Sequence, residues 1–325
     1  MHVTSTPDRR HSATFDEQQP WAAAWLEHRL DDLERQHGAP LPDRALVRHR
    51  AVQSLNTRKA LRVESPGLGA AYAALSEHRH PLTGRVEILL DHLTATDGEP
   101  LEALLASGSA AEPSVLEAAE VVNVVTPASA PLQHEVLARA GFQQVLATLR
   151  RRTDEVPEPA DRSHGDAALS VGPALAQEHD FVYQCLGRAL LAGLDGRPSA
   201  VDLAAWARSR YQLDDTSATV PLVGRVDGKP VCHGLGLRRS DRYGGRDVLY
   251  IVDVFVLPEH RSRGHSHRMS QGLLAEARHQ GFHVAESDLV LSPDAGPLRL
   301  RLAAAGWRED RIRWQRVHGD VEEPR

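Results

Sequence analysis

Cysteine is nearly absent from this chain of 325 residues: Cys185 and Cys232 are the only two. Two thiols cannot build a disulfide framework, and neither stands at metal-ligand spacing, so both read as small buried hydrophobes. Lysine is as scarce, with Lys59 and Lys229 alone beside a large excess of arginine. Together with abundant alanine, that bias points to a GC-rich bacterial genome and not to a functional demand. Basic charge is also short overall: the net charge of -6 argues against general nucleic-acid binding. No apolar run is long enough to span a bilayer and no signal-peptide pattern occurs, so the expected location is cytoplasmic with no membrane partner.

What is present is a globular composition, 41% hydrophobic and 25% charged, in a chain long enough for two domains. Residues 1–19 are polar and read as a disordered tail. Residues 151–174, with Pro157, Pro159, Gly165 and several acids, read as a linker. The flanking stretches, 20–150 and 175–325, follow one plan of two helices, three strands, a helix, a strand and a last helix. The echo is clearest near their ends, where Val124-Val125-Thr126-Pro127 leads to Ala140-Gly141-Phe142 and Val290-Leu291-Ser292-Pro293 leads to Ala305-Gly306-Trp307. A duplicated fold explains the match.

The most informative segment runs from Val254-Phe255-Val256-Leu257-Pro258 into Arg261-Ser262-Arg263-Gly264-His265-Ser266. An apolar strand enters a turn with two arginines and a glycine. The turn feeds a helix whose apolar positions Met269, Leu273, Leu274 and Ala277 recur at helical spacing. Such a junction aims several backbone N–H groups and the positive helix end at one spot, which makes an anion site. Downstream lie a second strand, Ser292-Pro293-Asp294-Ala295, a short helix and Gly306-Trp307.

This ordered set resembles the GNAT acetyltransferase superfamily over about residues 175–317, with Arg-x-x-Gly-x-Ser as its acyl-CoA pyrophosphate loop. The resemblance implies an α/β (α+β mixed-sheet) class: two tandem GNAT-like lobes, each a mixed, mostly antiparallel sheet flanked by helices. It implies acetyl-CoA as cosubstrate, its pyrophosphate cradled by residues Arg261, Ser262, Arg263, Gly264, His265 and Ser266. The backbone of Val254, Phe255 and Val256 would bond the pantetheine arm, and Asp294 stands where the family has an Asn-like residue. The first lobe departs from this pattern, since Asp97-Gly98-Glu99 would repel a pyrophosphate; it reads as a degenerate lobe.

Acyl transfer to an amine needs a base, because free alkylamines are mostly protonated near neutral pH. Asp253 is the first choice, for strand alternation sets it on the face of Ile251 and Phe255. Its plainer alternative is an ordinary ion pair. His233, on the preceding strand, is second: a hairpin pairing Leu237 with Leu249 would set it opposite Asp253. Glu286 and Asp288 read as structural. The family's tyrosine before the terminal Gly-aromatic pair is replaced by Leu302, which leaves the general acid to water or Tyr250. His260, His265, His267, His279 and His283 are not joined by the carboxylates or cysteines of a metal site, and none is expected. The leading expectation is therefore an acetyl-CoA-dependent N-acetyltransferase acting on a primary amine of a small molecule, peptide N-terminus or peptide-like natural product. The alternative is a non-catalytic acyl-CoA-binding scaffold.

Overall fold

Trp25, Leu26, Leu30 and Leu33 fall on one buried stripe between Pro20, which suits the first turn of a helix, and Gly38, whose left-handed backbone ends it. They form α1 (Pro20–His37). In the computed structural model, which describes residues 9–65, 69–95, 97–111, 119–155, 169–193 and 201–317, this helix opens a plan followed twice. The first half comprises β1 (Arg9–Thr14), α1, α2 (Arg44–Asn56), β2 (Lys59–Ser65), β3 (Gly69–Arg79), β4 (Val86–Ala95), α3 (Gly98–Ala111), β5 (Val121–Pro127), α4 (Pro131–Arg139) and β6 (Gln143–Arg152). The second comprises β7 (Ser170–Pro173), α5 (His179–Gly193), α6 (Leu203–Arg210), β8 (Thr219–Val226), β9 (Lys229–Arg239), β10 (Val248–Val256), α7 (His265–His279), β11 (Val284–Val290), α8 (Gly296–Ala304) and β12 (Arg308–Val317).

All twelve strands join one mixed, mostly antiparallel sheet in the order β1-β2-β3-β4-β5-β12-β6-β11-β10-β9-β8-β7. The last strand of each half has crossed over. β12 pairs with β5 from Val317↔Val121 to Arg311↔Pro127, and β6 pairs with β11 from Arg152↔Val284 to Leu146↔Val290. β6 and β12 then pair with each other at the centre. Neither half can satisfy its backbone alone, because removing one strips ladder partners from the other.

The packing follows the same logic. One apolar cluster on the face covered by α3 and α7 draws Leu101 and Leu104 from the first half and Met269 and Leu273 from the second. Separate clusters lie under α1 with α2 and under α5 with α6. The β9–β10 loop plugs into the first half, where Tyr243 is fully buried among Leu26, Leu30, Leu33 and Val47. Gly244, at φ 79°, follows; a Cβ there would stand 2.7 Å from the Asp43 carbonyl oxygen.

Two sequence expectations need correction. Residues 9–14 are not a disordered tail: they pair with β2 from Arg9↔Glu64 to Thr14↔Lys59, and Phe15 packs edge-on to Trp21 and Trp25. Residues 1–8 lie outside the described part. The stretch 151–174 is not all linker either, since β6 runs on to Arg152 and β7 begins at Ser170; residues 156–168 are not described. The arginine run 150–152 hides a central strand. Arg150 keeps only 14% of its side-chain surface, donates to Asp241 (2.9 Å) and Glu286 (2.7 Å), and lies over the Tyr243 ring. A buried, paired arginine reads in sequence like a solvated one.

Candidate active site

The site is built where two parallel strands stop pairing. β10 and β11 are bonded at Leu249↔Ala285, Tyr250↔Glu286 and Ile251↔Ser287 and no further, although both strands continue. On its other side β10 stays paired with β9 out to Val256↔Cys232. The edge of Val254, Phe255 and Val256 that faces β11 is thus free of a strand partner and can take the amides of an extended ligand.

A β-bulge sits at the parting, between Ile251 and Asp253. Its extra residue reverses the alternation. Ile251 and Val254 pack on the α7 side, whereas Val252 packs with the α5–α6 cluster that contains Leu235, the cross-strand partner of Asp253. The expected shared face of Asp253 and Ile251 is therefore wrong. The expected register is also wrong, because Leu249 pairs with Arg238, and Phe255, not Asp253, lies opposite His233. The displacement totals two residues, and an even slip preserves the face. Hence the two side chains still meet, His233 Nε2 lying 3.2 Å from Asp253 Oδ2. That contact is too poorly aligned to be a hydrogen bond. Both imidazole nitrogens and Asp253 Oδ2 are buried without another partner. His233 is fully buried and Asp253 keeps 23% of its side-chain surface, so the carboxylate is the member that faces the opening.

Beside this pair, Tyr250 donates to Asp288 (2.7 Å), which also accepts from Thr148 (2.8 Å). Burial and then the Asp288 charge push the Tyr250 phenol well above its ordinary value, so it is a poor acid here. Tyr211, at the end of α6, is also raised, chiefly by burial, and feels the Asp253 charge. Sequence reasoning missed Tyr211, because nothing local marks a helix-end tyrosine as neighbour to a strand carboxylate. Glu286 is held by Arg150 and lies 4.0 Å from Arg311, as a structural acid would. Leu302 is half-buried against the central core. Cys185 and Cys232 are both buried, and burial raises the Cys185 thiol to about 12.

The anion loop follows the bulged strand. Pro258–His260 form a single tight turn, Arg261 stacks over Phe255 and donates to the Val256 carbonyl (3.2 Å), and Ser262 and Gly264 adopt positive φ, 62° and 74°. Gly264 is the N-cap of α7, and no side chain caps that end. Side chains cap α2, where Asp43 accepts from Leu46 N–H, and α6, where Asp202 accepts from the Ala204 and Ala205 N–H groups. α1, α4 and α8 lack a side-chain cap but carry a proline in the first turn, whereas α7 has neither. A Cβ on Gly264 would meet nothing within 4 Å, so the cradle is roomy, and Arg261, Ser262, Arg263 and Ser266 are exposed around it. These features fit a pyrophosphate. His265 is buried with both ring nitrogens unpartnered, and burial followed by the Arg268 charge lowers its pKa. Asp294 lies in the short turn after β11, exposed. Among the described residues no three metal-ligating side chains gather.

Residues 190–292 match the model of the acetyltransferase (GNAT) family. That match falls within the second half. A search of curated sequences finds no match. Among solved structures, a GCN5-related N-acetyltransferase from Sphaerobacter thermophilus is 17% identical, with 95% of each chain covered and a TM-score of 0.63. A tandem GNAT protein from the clavulanic acid biosynthesis pathway is 15% identical, covering 97% of this chain and 100% of its own, at 0.54. A GNAT-family acetyltransferase from Colwellia psychrerythraea is 11% identical, covering 94% and 98%, at 0.52. At these identities the likeness is one of fold: mixed α/β, with a tandem GNAT protein matched along its whole length. The GNAT fold is one that supports acetyl-CoA-dependent acetyl transfer. Among the described residues no helix is long and apolar enough to cross a membrane.

Proposed function

We propose that the protein is an acetyl-CoA-dependent N-acetyltransferase whose acceptor is a primary amine on a small molecule, a peptide N-terminus or a peptide-like natural product. The observation that carries the reading is the parting of β10 from β11 at a bulge that sets Asp253 against His233, one turn from an uncapped, arginine-flanked helix start. On this reading the amides of residues 261–266, with Arg261 and Arg263, hold the pyrophosphate. The unpaired edge of Val254–Val256 aligns the thioester arm. A β10 N–H at the parting faces the carbonyl oxygen as it gains negative charge. Asp253 takes a proton from the incoming amine, or orients it, with the buried imidazole of His233 lying against the carboxylate. Nitrogen then bonds to the acetyl carbon as the carbon–sulfur bond breaks. A thiol's ordinary pKa of about 8.5 lets the thiolate leave with water as its proton source. Tyr250 is committed to Asp288 and is not needed.

The first half, residues 9–152, is proposed as a scaffold with no working cofactor loop. α3 begins at Gly98, whose N–H is already taken by the neighbouring Asp97 carboxylate (2.5 Å). The half-buried Leu302 in place of a tyrosine supports a second reading, a non-catalytic acyl-CoA binder. A thiol-release assay with acetyl-CoA over an amine panel separates the two. Amine-dependent release supports transfer, and binding without release under any amine supports the scaffold.

A further inference from the structure

The first half contains a cavity of about 340 Å³ on the face of the sheet covered by α1 and α2, where β4 parts from β5. Its walls are apolar, with Leu33, Val47, Leu89 and Val125 among them. Into it come five arginines from both halves of the chain: Arg29, Arg50, Arg242, Arg311 and Arg313. Asp91 is the single acidic residue of the lining, and Arg58 already pairs with it.

The surrounding acids do not balance this charge. Arg242 bonds Asp310 (3.2 Å), Arg311 lies near Asp310 and Glu286, and Arg50 spends its bond on the Asp241 carbonyl, not a carboxylate. With Arg58 and Arg150 included, seven guanidinium groups face five carboxylates, those of Asp32, Asp91, Asp241, Asp310 and Glu286, and Asp32 is already paired with Arg35. The Nε atom of Arg29 and Asp91 Oδ1 are buried with no hydrogen-bond partner. His92, also in the lining, is held neutral by burial and by the neighbouring arginines. Burial, then the Arg242 charge, lowers Arg29 to about 10. Concentrating like charges in a poorly solvated cavity is destabilising, and residues that cost a fold stability mark sites of function.

We propose that this cavity binds a small organic polyanion, with carboxylate or phosphate groups on a short apolar body, and that the ligand ties the two halves together. The site is not the acceptor pocket: the sheet order sets four strand spacings, about 19 Å, between the two partings, too far for one small molecule to reach Asp253. Nor is it a cofactor loop, since the Asp97-Gly98-Glu99 turn at the start of α3 bears the wrong charge. The inference does not depend on acetyl transfer.

The test is thermal unfolding and calorimetry of the full chain with citrate, phenyl phosphate and sodium chloride as an ionic-strength control. Citrate or phenyl phosphate should raise the melting temperature where chloride does not, and the tighter of the two identifies the headgroup. Arg29→Met should melt higher than wild type without ligand, because it relieves repulsion, and should bind the anion at least about tenfold more weakly, as expected for losing a charge-assisted bond. Arg313→Gln, at an exposed position, should show the same loss of affinity without a folding risk. Arg261→Ala/Arg263→Ala should keep the binding. The proposal is overturned if neither anion binds more tightly than about 10 mM, if both lining variants bind like wild type, or if the Arg261/Arg263 pair abolishes binding.

Discussion

The two partings of the sheet are built alike and equipped differently. In the first half β4 and β5 pair from Glu87↔Val121 to Leu90↔Val124 and then separate; in the second β10 and β11 separate after Ile251↔Ser287. Each β-strand carries an aspartate just beyond, Asp91 or Asp253, beside a register shift with its other neighbour. Asp91 is neutralised by the permanent cation of Arg58, whereas Asp253 faces the imidazole of His233. The helix that follows is closed by Asp97 in one half and open at Gly264 in the other. On the proposed reading one backbone serves as scaffold or as site according to a few side chains, which is how folds carry function.

The sharpest break of the comparison is physical separation. Residues 170–325 expressed alone should fail to give a soluble, cooperatively unfolding protein, because β12 would lose both β5 and β6 and β11 would lose β6. A soluble and fully active fragment, followed by near-UV circular dichroism and thiol release, would show that the first half is an independent module. Tyr243→Ala tests the same dependence more gently. Truncating a buried aromatic costs about 3 kcal/mol, and here both halves should melt together at a lower temperature. Two separate transitions would mean that the halves are not coupled through this loop.

Next comes the chemistry. Asp253→Asn should lower turnover by about a hundredfold while leaving acetyl-CoA affinity nearly intact, whereas Asp91→Asn should leave turnover close to wild type. Equal effects would erase the proposed distinction between the two partings. The smallest effect is in the acid response of the second half. Burial alone would raise the Glu178 carboxyl, but Arg225 and the Leu175 N–H outweigh it and hold it below its ordinary value. A depressed carboxyl contributes stability above its unfolded value, near 4.5, and loses it as pH falls through the lower folded value. Glu178→Gln should therefore flatten the acid limb of melting temperature against pH; an unchanged slope would contradict this.

Much of this was legible in residues alone. The helices, the strands β8 to β11 and the Arg-x-x-Gly junction announced themselves through periodicity and turn chemistry, whereas the central β6 and β12 did not. The pairing of Asp253 with His233 was reached through a wrong register, rescued because the bulge and the slip add to two residues. β6 and β1 escaped notice because their signals are arginine-rich: residues 150–152 look solvated, and Arg9-Arg10-His11 looks like a tail. The exchange of β6 and β12 leaves no local trace, since either strand could pair within its own half. Nor does sequence disclose that Arg242, Arg311 and Arg313, more than two hundred residues downstream, line one cavity with Arg29.

The central claim is that only the second parting accepts the cosubstrate. Calorimetric titration of the full chain with acetyl-CoA tests it most directly. The account predicts one site per chain, weakened by roughly 1.5–3 kcal/mol for each of Arg261→Ala and Arg263→Ala, and unchanged by Asp97→Ala or Glu99→Ala. Two sites per chain, or one site indifferent to both arginines, would contradict it.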